Sequence, residues 1–392
     1  VEKRALRYWV ALNRVSGIGA ARLNALLQHF GDLEAAWRAP DSQLERVINN
    51  RPALEALQRA RRTADIDADL DAVAKIGARV LTLHDDDYPA LLRQIGNPPP
   101  VLYIRGSIQE VDQHAVGIVG TRSPTDYGLQ AARSISVNLV KAGVTIISGL
   151  AKGIDTAAHK STIAMNGRTF ALLGHGIDTV YPRENEALAL SIAQHGAVIT
   201  EFPIGMRADA GNFPMRNRLI SGLSLGVVVV EAGAKSGALG TARHALEQNR
   251  EVFAIPGSIF SKESAGANLL IQAGEAKLIT NVTDILDELA LDLPLFQQTQ
   301  RLADAPQSTA ISREALHEMP PPAAPPHAAL PDELNDTERA ILSALSATPL
   351  YIDEICAASG LSAARVTSTL TVLELNGYVQ QPSSRCFVLA HS

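Results

Sequence analysis

The sequence predicts an α/β protein. A mainly parallel sheet of the Rossmann type lies between helices, with a helical segment before it and a winged helix-turn-helix after it. Three observations carry this. Short Val- and Ile-rich runs bounded by Gly or Pro alternate with helical stretches over residues 115–257. A proline-rich stretch then interrupts the chain. Beyond it come three helical patterns and a hairpin. At 392 residues the chain has room for two or three domains, and the boundaries fall at 1–80 (helical), 81–292 (sheet), 293–331 (linker) and 332–392 (winged helix).

Residues 1–80 read as helices, with apolar positions near helical spacing at Leu23, Leu26, Leu27 and Phe30 and again at Leu54 and Leu57. Gly17-Ile18-Gly19 lies among them. Such a turn can offer N–H groups to a phosphate, as helix-hairpin-helix modules do, but one glycine pair fits a tight turn between packed helices better.

In the sheet region the runs are AVGIVGT (115–121), TIISG (145–149), TFALLG (169–174), AVITEF (197–202), GVVVVEA (226–232) and EVFAIPG (251–257). Helical stretches such as YGLQAARSISVNLVKAG and GALGTARHALEQN separate them. This alternation implies parallel strands joined by right-handed crossovers, with helices on both faces. RVLTL and VLYIRG add two earlier strands, so the sheet exceeds a minimal Rossmann unit. Residues 302–331 hold seven of the 21 prolines and read as an extended linker. LNDTERAILSAL, IDEICAASG and SAARVTSTLTVLELNG then give three helices, capped by Asn335 or Asp336, ended by Gly360, and bounded by Ser362 and Gly377. YVQQPSSRCFVL gives a hairpin turning at Pro382-Ser383-Ser384.

Composition narrows the function. With 46% hydrophobic and 19% charged residues the chain is not disordered as a whole, and 4% aromatics imply cores of Ala, Leu, Val and Ile. A net charge of −6 excludes a globally basic coat but permits a local basic groove. Cys356 and Cys386 supply neither a disulfide framework nor a zinc site. The first residues show no signal-peptide pattern and no apolar run reaches 18 residues, so a cytoplasmic protein with no membrane partner is expected.

Ligands of open parallel sheets bind beyond the carboxyl ends of the strands. Here those ends read Gly120-Thr121-Arg122-Ser123, Ser148-Gly149-Leu150-Ala151-Lys152-Gly153-Ile154-Asp155, Gly174-His175-Gly176-Ile177-Asp178 followed by Tyr181-Pro182, Glu201-Phe202-Pro203, Glu231-Ala232-Gly233-Ala234-Lys235-Ser236-Gly237 and Pro256-Gly257-Ser258. Small residues let backbone approach a ligand, and helix N-termini attract anions. Arg122, Lys152 and Lys235, with Arg216 and Arg218 on a loop FPMRNRLISG, make five cations at one sheet edge. That number suits an oligonucleotide backbone better than a single nucleotide. For Arg216 and Arg218 a structural ion pair competes equally with phosphate contact. Phe213 could stack on a base or sit in the core. Asp155 and Asp178 read as caps, and Glu201 and Glu231 as groups ordering the basic loop. His159 reads as a packing histidine, and His175 has no identifiable acid–base partner. No GxxxxGK[ST] loop and no G-x-G-x-x-G fingerprint is present, which argues against an NTP motor and against NAD.

The blocks GIVGTRSPTDYG, SGLAKGIDTAAH, GHGIDTVYPREN, ITEFPIG, FPMRNRLISGLS, VVVVEAGAKSGALGTARHALEQNREVFAIPGS and SAGANLLIQAGE resemble the DprA/Smf family of DNA-processing proteins. The resemblance runs from about Asp87 to Ile279, roughly half the chain. It implies an extended Rossmann fold flanked by a SAM-like domain and a winged helix, single-stranded DNA binding without hydrolysis or cofactor, homodimerisation, and loading of RecA recombinase in natural transformation. Carried onto this sequence, it assigns DNA contact to Arg122, Gly149, Lys152, Phe213, Arg216, Asn217, Arg218, Ser236 and Gly237; Lys235 joins them as a strand-end cation. The chain departs from the family pattern at Thr121, where Ser is usual, and at Ala238-Leu239-Gly240, where Ser-Leu-Ile is usual. Two rivals remain. One is a nucleotide phosphoribohydrolase, whose PGGxGTxxE turn is similar to SGALGTARHALE but carries a glutamate where this chain has His244. The other is a winged-helix transcription regulator. Its recognition helix should be basic, yet residues 332–392 hold three basic residues against seven acidic ones, a net charge of −4.

Overall fold

The computed structural model describes residues 3–63, 65–291, 335–345, 350–375, 378–383 and 386–389. The chain forms two compact units, Val1–Ser308 and Thr309–Ser392. The expected linker lies outside the described residues.

The first unit is built on a nine-stranded sheet. Its strands are β1 Ala78–Thr82, β2 Val101–Gly106, β3 Ala115–Val119, β4 Thr145–Ser148, β5 Thr169–Leu172, β6 Ala197–Thr200, β7 Gly226–Val229, β8 Glu251–Ala254 and β9 Lys277–Leu278. Their order is β1-β2-β6-β5-β4-β3-β7-β8-β9. From β6 to β9 all neighbours are parallel, while β2 meets β6, and β1 meets β2, antiparallel. Strands β3 to β7 are buried along their whole length, which is why they read as continuous apolar runs. The chain winds from β3 outward through β4 and β5 to β6, then crosses back to β7 on the other side of β3. The carboxyl ends of β3 and β7 therefore diverge into a crevice at a topological switch point.

Six helices precede β1, from Lys3–Asn13 to Ile66–Lys75. Tyr8, Trp9, Leu12, Leu23, Leu26, Leu44 and Leu57 share one core with Val101 and Tyr103 of β2. The boundary drawn at residue 80 thus falls inside β1, and helices and sheet form one unit. Gly17 has a positive φ of 83°, and a Cβ there would lie 2.9 Å from the Ala53 Cβ. The Gly-Ile-Gly turn is thus seated against a helix.

The second unit contains helices Asp336–Ala344, Ile352–Ser359 and Ala363–Leu375 and an antiparallel sheet of β10 Leu350–Tyr351, β12 Cys386–Leu389 and β11 Val379–Ser383, in that order. Asn335 caps the first helix in a reciprocal capping box with Glu338, and Gly360 ends the second in the left-handed conformation. Ile341, Ile355, Val366, Leu370 and Phe387 form its core. Sequence placed the hairpin turn at Pro382-Ser383-Ser384. Pro382 and Ser383 instead belong to β11, and the turn itself lies outside the described residues.

Candidate nucleic-acid interface

The crevice between β3 and β7 opens into a groove of about 1080 Å³. Its wall on the β3 side is set by hydrogen bonds to Glu231 at the end of β7. Thr121 N donates to the Glu231 carbonyl at 2.7 Å, and Thr125 donates to the Glu231 carboxylate through its N (2.9 Å) and Oγ1 (2.8 Å). A Cβ on Gly120 would lie 2.6 Å from the Ile154 side chain, so only glycine permits this approach. The turn so pinned presents Arg122, which is exposed and lines the groove. On the β7 side the Gly233–Gly237 turn is closed by Ser236 N donating to Gly233 O at 2.9 Å. It exposes Lys235, then opens the helix Ala238–Glu247.

The segment FPMRNRLISG, expected as a loop, is part of a helix, Asn212–Gly222. Pro214 falls in its first turn, where the N–H that proline lacks would have no intrahelical acceptor. Arg216, Leu219 and Ile220, spaced three and four apart, form its buried face. Phe213 is half-buried at the groove, and Asn217 Nδ2 donates to Gly237 O at 3.3 Å.

Arg122, Phe213, Arg216, Asn217, Lys235, Ser236 and Gly237 all line the groove; Gly149, Lys152 and Arg218 do not. The five cations also divide by environment. Arg122 and Lys235 are exposed. Arg216 is only 4% exposed, and its Nη1 donates to Gly149 O at 2.6 Å and to Leu172 O. Burial pushes its guanidinium down to about 10, partly offset by the charge of Asp155. Asp155 itself is buried and accepts from Gly149 N (3.1 Å) and Ala151 N (3.3 Å); burial raises its carboxyl above the usual range. Arg218 pairs with Glu201 and donates to Asn97 O at 2.8 Å. Lys152, though over half exposed, donates to Glu184 at 2.6 Å. Arg216 and Arg218 thus hold backbone and carboxylate together inside the fold, the structural role that the sequence weighed equally against phosphate contact.

The groove also takes in Thr121 and Tyr181, which the sequence puts at strand ends without assigning them a contact, and Arg243, which the sequence reading did not single out. Arg243 had a signal. Arg243 and His244 follow Gly240 by three and four residues, which puts them on the face of the helix Ala238–Glu247 that Gly240 occupies, beyond the Gly237 cap. His244 lines the groove, and its Nδ1 lies 3.2 Å from Glu247. His159 is fully buried beside Thr169 Oγ1 (2.7 Å), and burial pushes its imidazole down to about 3. His175 is buried with Nδ1 2.9 Å from Gly176 O, and burial lowers its imidazole too. Among the described residues no cluster of His, Cys, Asp or Glu could hold a metal ion, and no helix is long and apolar enough to cross a membrane.

Fold and site define a Rossmann-type α/β protein with a basic, glycine-lined groove at its switch point, carried in one chain with a winged helix. Residues 79–290 match the family model of the DNA recombination-mediator protein A, and residues 321–383 match the DprA winged helix domain. The chain belongs to the DprA/Smf family of DNA-processing proteins. It is 39% identical to protein Smf of Synechocystis over 96% of this chain and 97% of that one. It is 35% identical to the putative DNA processing protein DprA of Mycobacterium tuberculosis over 98% of this chain and 94% of that one. The crystal structure of DprA from Streptococcus pneumoniae superposes with a TM-score of 0.63 at 32% identity, covering 72% of this chain and 96% of that one. DNA processing protein A from Helicobacter pylori, described for its single-stranded DNA binding mode, superposes with a TM-score of 0.50 at 31% identity, covering 55% of this chain and 97% of that one.

Proposed function

We propose that this chain binds single-stranded DNA in the β3/β7 groove without chemical turnover and passes the strand to the RecA recombinase during uptake of transforming DNA. The observation that carries the reading is the grouping of exposed Arg122, Lys235 and Arg243 with the aromatic rings of Tyr181 and Phe213 around glycine-rich backbone. Cations that track a phosphate backbone beside rings that accept unpaired bases are what a single strand requires, and a duplex keeps its bases stacked away from such rings. The Helicobacter pylori relative, a single-strand binder by its description, supports it. Gly149 and Arg216 shape the floor from beneath, and Lys152 joins the strand path when it leaves Glu184. Delivery to RecA and pairing of two copies of this chain rest on the family resemblance.

Binding is tested with an oligothymidine strand and a matching duplex at moderate salt. Retardation of the strand but not the duplex is expected; equal affinity for both sinks the reading. The RecA step is tested by the rate of RecA filament growth on the same strand with and without this chain, and an unchanged rate counts against it. Absence of turnover is tested with ATP, AMP and DNA. Hydrolysis that survives purification and is abolished by Arg122→Ala would make the protein an enzyme.

A further inference from the structure

Phe213 is half-buried, and its ring already has several neighbours. The Arg122 guanidinium lies over it at 5.6 Å from the ring centroid and that of Arg216 at 6.0 Å. The Tyr181 ring lies 5.7 Å away, tilted by 35°. A Cβ on Gly174 would come within 2.8 Å of the Phe213 Cδ1, so the ring also packs directly on that glycine. Tyr181 is the reverse case. It lines the same groove, one neighbour is Phe213, and half of its surface is open to solvent.

An exposed ring backed by a second ring inside a basic groove is placed to accept a flat ligand. From this geometry we propose that Tyr181 is the base-stacking platform of the groove: it takes one nucleobase of a single strand on its open face, with Phe213 as its backing. The inference rests on the groove being the single-strand site. It assigns different tasks to two neighbouring sets of residues. Arg122 and Lys235 hold phosphates, and so respond to charge alone. Tyr181 holds a base, and so responds only when a base is present. Because every base has a π-face, the platform carries no sequence preference. The phenolic hydroxyl is not needed for stacking, so phenylalanine serves at this position.

The test compares an oligothymidine strand with an abasic deoxyribose-phosphate strand of equal length, using the full chain and the variants Tyr181→Ala, Tyr181→Phe and Phe213→Leu. Stacking of one base corresponds to roughly a 5- to 150-fold change in affinity. Tyr181→Ala is expected to lose that much for oligothymidine and nothing for the abasic strand, while Tyr181→Phe binds both like the unmodified chain. An equal loss on both strands, or no loss on oligothymidine, overturns the proposal. So does a base-dependent loss in Phe213→Leu combined with none in Tyr181→Ala. A separate control tests the groove itself: if Arg122→Ala with Lys235→Ala leaves both strands bound as before, the site lies elsewhere and this proposal falls with it. If that control weakens both strands while Tyr181→Ala changes neither, only the role of Tyr181 is lost.

Discussion

The Arg216 guanidinium donates to the main-chain carbonyl of Gly149 at 2.6 Å, from a helix 67 residues further along the chain. A Cβ on Gly149 would lie 2.5 Å from Arg216 Nη1, so the glycine and the arginine require each other. The charge of Arg216 also compensates that of buried Asp155.

Removing this arginine should therefore act on stability. Arg216→Ala leaves Asp155 buried without compensation and the carbonyls of Gly149 and Leu172 without their donor. The cost expected for such a loss is about 3–5 kcal/mol, with an unfolding temperature lower by roughly 10 °C. Gly149→Ala should be destabilising in the same sense, because its Cβ would displace the guanidinium from the carbonyls of Gly149 and Leu172. Calorimetry of both variants checks this. An unshifted unfolding temperature in Arg216→Ala, together with lost DNA affinity, would show that Arg216 serves the ligand and not the fold.

Acid should weaken the protein in a way traceable to His159. Its imidazole titrates near 6.5 when unfolded and is pushed down to about 3 in the fold. Between those values the unfolded chain binds the extra proton, so stability rises with pH there. The contribution is complete above about pH 6.5 and is lost as pH falls toward 3. Buried Asp155 and Glu201, whose carboxyls are raised, act in the opposite sense, so the difference between wild type and His159→Gln isolates the histidine. Denaturant midpoints across this range should fall more steeply with acid in wild type than in the variant; parallel curves would contradict the assignment.

Lys152 is tied to Glu184 by an ion pair in which both side chains are over half exposed. Such pairs are worth at most about 1 kcal/mol. Glu184→Gln should leave the unfolding temperature almost unchanged and free the ammonium for a phosphate. Tighter binding of oligothymidine, by up to about fivefold, is expected. Unchanged affinity would place Lys152 outside the strand path.

The winged-helix unit should contribute little to single-strand affinity. A domain with a net charge of −4 repels a phosphate backbone, and its third helix, Ala363–Leu375, holds one cation, Arg365, and one anion, Glu374. Truncation after Leu302 should keep most of the affinity for oligothymidine. If the truncated protein stays folded and loses most of it, this domain is a principal DNA reader.

Strands β1 to β8 were legible because each is a local event, a short apolar run bounded by turn residues; β9, two exposed residues Lys277–Leu278, carries no such run. Their order was not. Placement of β7 beside β3, which creates the groove, and the antiparallel return of β2 onto β6 depend on contacts between distant segments. The cations were legible as residue types at strand ends, but their exposure was not. Arg216 and Arg218 look alike in FPMRNR; one is buried by carbonyls from β5 and the turn after β4, the other is paired with Glu201 at the end of β6. The segment read as a loop is a helix whose first turn holds Pro214, a position that accommodates proline. Tyr181 was legible as a strand-end residue only; its place beside Phe213 exists only in the folded chain.

The central claim is that Arg122 and Lys235 hold phosphates in the β3/β7 groove. It is tested most directly by the salt dependence of oligothymidine affinity in wild type, Arg122→Ala, Lys235→Ala and the double variant. Each lost phosphate contact should lower affinity and flatten the plot of log affinity against log salt by roughly 0.7. The double variant should remain folded and show about twice that flattening. A folded double variant with wild-type affinity and wild-type slope would contradict the account.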